Sequence, residues 1–485
     1  MKPILQTIYR QICPILLVLV YFVLPTQFLK AQTTCTGVGG KVFADYNFDG
    51  FLNETTIGIE GVKVYVFTSY GTTDSTLTDT DGFFSFPALM PLSSARVEIV
   101  LPAALNATKI TRSAVQFVVG ASCNVNFGVA VPSDYCQANP HIIVPCYVNG
   151  DPRNSAGSAK DSVALVAVPF NVPNAAPTSS ELPLLNAGAI GSVWGVAYHK
   201  HRKALITTAV LKRHVGFGAA GAGGVYFLNY QNPNSVSVMG SLSLSAGVDP
   251  RATEPLPADP TQPSNDVAAF DKIGKMGLGG VAVSDDGNTL FVMNLATQKL
   301  VKINLSNFNI TGSLPTSSDI LSEISMPSPC GTEGVFRAWA VKSHQGKIYM
   351  GGVCDASISK DTNDLHAYIY ELSGTNLTPV FDFSLNYQRG YATSFVTFIN
   401  RWFPWEDDYT KMLRGDLQFV YPQPILSDIE FDIDGSLILG FMDRMGHQGG
   451  YQNYVPRPNF PFIRAITISA GDIVRVCKKN GVFFF

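Results

Sequence analysis

The sequence predicts an all-β chain, an immunoglobulin-like β-sandwich followed by a β-propeller that is incomplete at its C-terminus. Short runs rich in Val, Ile, Tyr, Phe and Thr are separated throughout by turns drawn from 43 Gly and 30 Pro, the pattern of strands rather than helices. No long stretch carries a helical period; the nearest lies around Trp402 to Leu413. Strand–turn–strand units recur in the second half, roughly 60 to 90 residues apart.

The first residues have the anatomy of an export signal. Lys2 and Arg10 form a basic start, Ile12 to Leu24 is almost unbroken apolar sequence, and Ala31 offers a small residue for cleavage. Residues 1–31 are therefore expected to be removed. The apolar run is shorter than the ~20 residues a spanning helix needs, and no later segment reaches that length, so no membrane span is expected in the mature chain. Charged residues make up 15% and the net charge is −3. That composition excludes a nucleic-acid partner, which asks for a basic stripe.

Once Cys13 is removed, seven cysteines remain. No C-x-x-C occurs, so zinc and thioredoxin-type readings have no support, and disulfides in an oxidising compartment are expected instead. Three pairings offer themselves: Cys35 with Cys123 flanking one domain, Cys136 with Cys146 closing a short loop, and Cys330 with Cys354 bracketing a hairpin. Cys477 is left over.

Residues 35–131 read as the sandwich, from Gly40–Phe43, Val62–Thr68, Phe83–Phe86, Val97–Leu101, Ala114–Val119 and Val125–Val129. Within it, Asp45-Tyr46-Asn47-Phe48-Asp49-Gly50 places oxygen side chains at loop positions 1, 3 and 5 and a glycine at the sharp turn. Phe51 would add a backbone carbonyl and Asn53 a further ligand. Such a cluster suits Ca²⁺, which accepts about six to eight oxygens in loose geometry.

Three ordered motifs then stand out: Val42-Phe43-x-Asp45-x-Asn47-x-Asp49-Gly50, Gly58-Ile59-x-Gly61-Val62-x-Val64, and Thr78-Asp79-x-Asp81-Gly82-x-Phe84-x-Phe86. Together they resemble the B-type domain of bacterial serine–aspartate-repeat adhesins, an immunoglobulin-like, calcium-binding stalk module. The resemblance implies a structural calcium ion held by Asp45, Asn47, Asp49, the Phe51 carbonyl and Asn53. Asp79 and Asp81 form a second acidic pair. The family's bidentate Glu is absent, its place taken by Thr56.

After a loop-rich linker over 132–185, residues 186–485 read as the propeller. Its four hairpins pair Trp194–Tyr198 with Ala204–Ile206, Gly280–Val283 with Leu290–Val292, Ala338–Val341 with Ile348–Met350, and Asp428–Phe431 with Leu437–Leu439. The apolar run Val482–Phe485 and the odd Cys477 lead to the expectation that further propeller sequence follows.

Other patterns lead to blander readings. Gly216-x-Gly218-x-x-Gly221 matches a dinucleotide fingerprint but precedes a strand, so an inter-strand loop is expected. Arg414-Gly415-Asp416 is read as a chance tripeptide. Asp428, Glu430, Asp432 and Asp434 alternate with apolar residues on one strand face, most simply as a solvated face ending in a turn. His199 and His201, among Lys200, Arg202 and Lys203, read as a solvated turn. No nucleophile elbow is found.

The function expected is that of a secreted or cell-surface, adhesin-like binding protein, not an enzyme. Its partner would be an extracellular glycan, matrix component or surface protein. The alternative is an extracellular propeller enzyme, a hydrolase or lactonase or a quinoprotein-type dehydrogenase.

Overall fold

The computed structural model describes residues 37–46, 48–52, 58–71, 73–87, 94–105, 108–130, 138–172, 181–391, 399–414, 418–457 and 464–485. The export segment lies outside them.

The first eight strands are β1 (Val38–Ala44), β2 (Lys63–Thr68), β3 (Thr73–Leu77), β4 (Phe83–Phe86), β5 (Ser94–Val100), β6 (Lys109–Ile110), β7 (Val115–Val119) and β8 (Phe127–Ala130). They form two four-stranded sheets, β4-β1-β8-β6 and β3-β2-β5-β7. Strand side chains alternate between faces, so Val62, Val64 and Val66 bury with Val42, Phe84, Phe86 and Phe127 in one core. This is the expected sandwich. Within it β1 runs parallel to β8, with Val42 opposite Phe127.

The stretch expected to be a loop-rich linker instead holds a sheet, β11-β10-β9. Its strands are β9 (His141–Pro145), β10 (Val163–Pro169) and β11 (Leu182–Asn186). Prolines and a long polar excursion mask these runs in the sequence. Packing of Ala164, Leu165 and Ala167 against Val193, Leu205 and Leu228 makes them strands.

The short helix α1 (Ala187–Ile190) leads into four four-stranded sheets arranged in chain order as propeller-type blades. The first holds β12 (Val193–His199), β13 (Ala204–Ala209), β14 (Gly224–Asn229) and β15 (Ser237–Ser243). After α2 (Val267–Phe270), the second holds β16 (Leu278–Val283), β17 (Thr289–Asn294), β18 (Lys299–Asn304) and β19 (Ile320–Ser325). The third holds β20 (Phe336–His344), β21 (Lys347–Cys354), β22 (His366–Ser373) and β23 (Asn376–Ser384).

A small sheet opens with β24 (Leu413–Arg414) and β25 (Gln418–Phe419). The last blade starts with β26 (Pro424–Phe431) and β27 (Leu437–Asp443), followed by α3 (Met445–Gly449). Next, β28 (Ile466–Thr467) joins the small sheet parallel to β25, and β29 (Asp472–Lys479) and β30 (Val482–Phe484) complete the blade.

All four expected hairpins form, as β12–β13, β16–β17, β20–β21 and β26–β27. Gly287, Gly346 and Gly435 take φ of +76°, +75° and +78° at three of the turns, a region that glycine enters without steric cost. The first strands of successive blades stand side by side, and their turns interlock. Gly287 packs on His199, the Asp285 carboxylate takes the Gly346 N–H at 2.6 Å, and the His344 ring stacks on Phe431 at 3.9 Å. The run Val482–Phe484 pairs with β29, and Phe485 packs on Phe383 and Tyr387.

Where a helical period was nearest, only a 3-10 turn over Tyr409–Lys411 forms. Cys330 and Cys354 are joined as a disulfide. Cys123 is disulfide-bonded, while Cys35 lies outside the described residues. The Cys136–Cys146 pairing is corrected. Cys146 carries a free thiol, its sulfur turned toward the Val144 carbonyl of β9 at 3.9 Å; Cys136 lies outside the described residues. Cys477 is also free, its sulfur taking an N–H from Arg475 at 3.2 Å.

Candidate functional site

Asp45 follows β1 and is held to β8 by its N–H on the Val129 carbonyl at 2.8 Å. Its side chain is buried. Oδ2 accepts the Gly50 N–H at 2.8 Å, whereas Oδ1 is buried with no hydrogen-bond partner among the described residues. The Thr111 hydroxyl is buried and unpartnered in the same way. The two side chains meet over Gly128, where an added Cβ would lie 2.8 Å from Asp45 Oδ2 and 2.6 Å from Thr111 Oγ1.

The loop bends through Phe48 at φ +62° and Gly50 at φ +75°. Asp49 Oδ1 accepts the Phe51 N–H at 2.7 Å, and the Arg112 guanidinium covers the Phe51 ring at 4.2 Å. Asn47, Asn53 and Thr56 lie outside the described residues. An orphaned buried carboxylate oxygen is the feature a cation would satisfy, since buried charge is costly unless paired.

The second acidic turn is differently employed. Asp79 Oδ1 accepts the N–H groups of Asp81 at 3.0 Å and Phe83 at 2.7 Å, the usual work of aspartate in a turn. Among the described residues no group of three His, Cys, Asp or Glu gathers around one point, so the two acidic turns form no shared cluster.

The three sequence motifs do converge. Val42 N–H bonds the Gly82 carbonyl at 2.8 Å and Ile59 N–H bonds the Val42 carbonyl at 2.9 Å. The buried Thr78 hydroxyl donates to Ile59 and accepts from the Val62 N–H. Gly58 and Gly82 have to be glycine here, since a Cβ on Gly58 would sit 1.8 Å from the Asp81 carbonyl oxygen.

The remaining patterns resolve simply. Glu430 pairs with Lys342, and Asp432 and Asp434 pair with Arg475. Ile433 is fully exposed, because the turn has already begun there. The glycine-rich stretch at Gly216–Gly221 is an inter-strand loop leading through a 3-10 turn into β14. His199 departs from its expected solvated turn: it is buried, its ring 5.6 Å from Phe308. Gly415 and Asp416 lie outside the described residues.

A buried polar network between blades went unread in the sequence. Arg251 makes a two-pronged ion pair with Asp266 at 2.9 Å, and Asp266 also takes the His214 N–H. Arg213 donates to the carbonyls of Gln448 and Tyr454. Arg444 donates to those of Ile273 and Glu406. The available clue was Lys212-Arg213-His214 and Asp443-Arg444 closing long apolar runs in a chain so poor in charge.

Known proteins resemble the chain at two levels. Colossin-A and Colossin-B of Dictyostelium discoideum are each 24% identical to it, over 492 and 465 residues, covering 92% of this chain in both cases. The chain spans only 4% and 11% of those two proteins. Among solved structures, the periplasmic gluconolactonase PpgL of Pseudomonas aeruginosa aligns over 79% of each chain at 11% identity, with a TM-score of 0.30. A Lactobacillus plantarum protein aligns over 86% of this chain and 100% of its own at 10% identity, also with a TM-score of 0.30. Residues 36–117 match the SdrD B-like domain, the family whose three motifs meet at the corner just described.

Proposed function

We propose that the chain is an extracellular, adhesin-like structural and binding protein. Calcium stiffens its SdrD B-like module, which carries the propeller-type region as a platform for a glycan, matrix component or neighbouring surface protein. The observation that carries this reading is the buried Oδ1 of Asp45, without a partner among the described residues, at the head of an oxygen-rich loop. Calcium would be held there by Asp45, Asp49, the Phe51 carbonyl and the side chains of Asn47 and Asn53, supplying the positive charge the carboxylate lacks. The Cys330–Cys354 disulfide supports an oxidising compartment. Among the described residues no helix is long and apolar enough to cross a membrane.

The mechanism is rigidity. A ligand that binds only the folded state stabilises it by mass action, about 2.7 kcal/mol at a hundredfold excess over Kd. The test is calorimetric melting of the full chain in millimolar calcium and in chelator. One transition is expected to rise by several degrees with calcium. Asp45→Asn should abolish the rise, and Asp79→Asn should leave most of it. Equal midpoints in calcium and chelator for the unmodified protein would remove the reading.

A further inference from the structure

We propose that the cavity beside α3 binds an acidic sugar, with the Lys212 ammonium on its carboxylate and aromatic rings against its ring face. This deepens the reading of the propeller-type region as a glycan platform and rests on it. The cavity, of about 480 Å³, falls within the ~300–1,000 Å³ of small-molecule sites. Tyr147, Asn149, Ser162, Lys212, Gly450 and Tyr451 line it.

Charge argues first. Lys212 Nζ donates to the Gly446 carbonyl at 2.6 Å and stands 5.0 Å over the Tyr147 ring. Among the described residues it makes no ion pair with a carboxylate, and the charge that acts on it is Arg213, of the same sign. A partly buried ammonium without a counter-ion carries a desolvation cost, and an anionic group on a ligand would reduce it. Burial, with Arg213 beside it, lowers the Lys212 pKa to about 8, so the group remains cationic at neutral pH.

Unused hydrogen-bonding capacity argues second. The Tyr147 hydroxyl, on the cavity wall, is buried without a partner among the described residues, as are His447 Nδ1 and Trp339 Nε1 in the core behind it. Their rings form one ladder: Tyr147 to His447 at 5.4 Å, His447 to Trp194 at 5.7 Å, and Trp194 to Trp339 at 6.0 Å. Native structures leave few such groups unsatisfied. Of these, the Tyr147 hydroxyl belongs to the cavity lining, where with the Lys212 ammonium it offers hydrogen-bond donors to a ligand that mainly accepts. Tyr147 and the exposed Tyr451 ring add flat apolar faces with polar tips, while Asn149 and Ser162 can bond hydroxyls. One carboxylate on a polyhydroxylated ring meets all of these demands.

The experiment titrates the full chain calorimetrically with D-glucuronate, D-glucose and acetate. Glucuronate is expected to bind, with glucose and acetate each at least tenfold weaker. Lys212→Met keeps the stem over Tyr147 and should weaken glucuronate at least tenfold. Tyr451→Ala, at an exposed position, should weaken it several-fold without touching the fold. No glucuronate binding would mean that ordered water meets the unpartnered groups, and the proposal falls. It falls equally if acetate binds as tightly as glucuronate, or if both variants bind like the unmodified protein. Melting in calcium and chelator is run on the same samples. An intact calcium response without sugar binding overturns this proposal alone, whereas loss of both removes the wider reading too.

Discussion

At the scale of single residues, the buried histidines set the response to acid. His199 sits against Phe308, and burial, with His201 and Arg202 nearby, lowers its pKa to about 4. Burial also pushes His214 and His447 well below the usual range, aided in both by Lys212 and in His214 first by Arg213. In the unfolded chain each takes a proton near pH ~6.5. Between that pH and the depressed folded values, the unfolded state binds more protons. Stability is therefore fully present above about pH 6.5 and is lost as pH falls toward 4. For His199 alone the difference is on the order of 3 kcal/mol. The buried Asp443 carboxyl, raised to about 7, acts in the opposite direction over the same window, so the test is the difference: in melting curves His199→Gln should lose less stability between pH 7 and pH 5 than the unmodified protein. Asp45 stood out in the sequence because Asn47 and Asp49 follow it at alternate positions of one short loop. Thr111, which meets it over Gly128, did not, because the hydroxyl arrives from a distant part of the chain.

At the scale of elements, the hairpins were legible because a positive-φ turn between two apolar runs is a local signal, as at Asp286-Gly287 and Asp434-Gly435. Outer strands carry no such mark. Asn376–Ser384 is largely exposed or half-buried along its length, and its pairing with β22 is set by the finished blade. The sheet of β9, β10 and β11 escaped for another reason: long polar and proline-containing stretches, rather than tight turns, separate its strands. The Cys330–Cys354 link was readable, since the strands of a hairpin end together. It ties the approach to β20 to the end of β21, across a separation of 24 residues. Closing a loop of that size is worth about 3 kcal/mol through the unfolded state. Cys330→Ser with Cys354→Ser should lower urea stability by about that amount. Because both sulfurs belong to buried residues, reductant should act on the unmodified protein only as it unfolds.

At the scale of the whole molecule, arginine side chains join parts that share no sheet. Arg444 reaches the Ile273 and Glu406 carbonyls, Gln423 and the Asp407 carboxylate while lying over the Trp405 ring at 4.4 Å. It thereby ties the turn after β27, midway through the last blade, to the segments after α2 and before β24. Arg444→Met would keep the stem and strand those acceptors, an expected loss of about 3–5 kcal/mol, read as a lower urea midpoint. Such long-range stitching has no sequence period, which is why the blades were foreseeable and their fastening was not. The sandwich has its own long-range device in the parallel neighbours β1 and β8. They lie near opposite ends of the module's chain, so tension applied along that chain would pull them past each other. Their slanted, evenly spaced bonds would then be sheared together rather than peeled one by one, giving the module resistance to extension along its own chain.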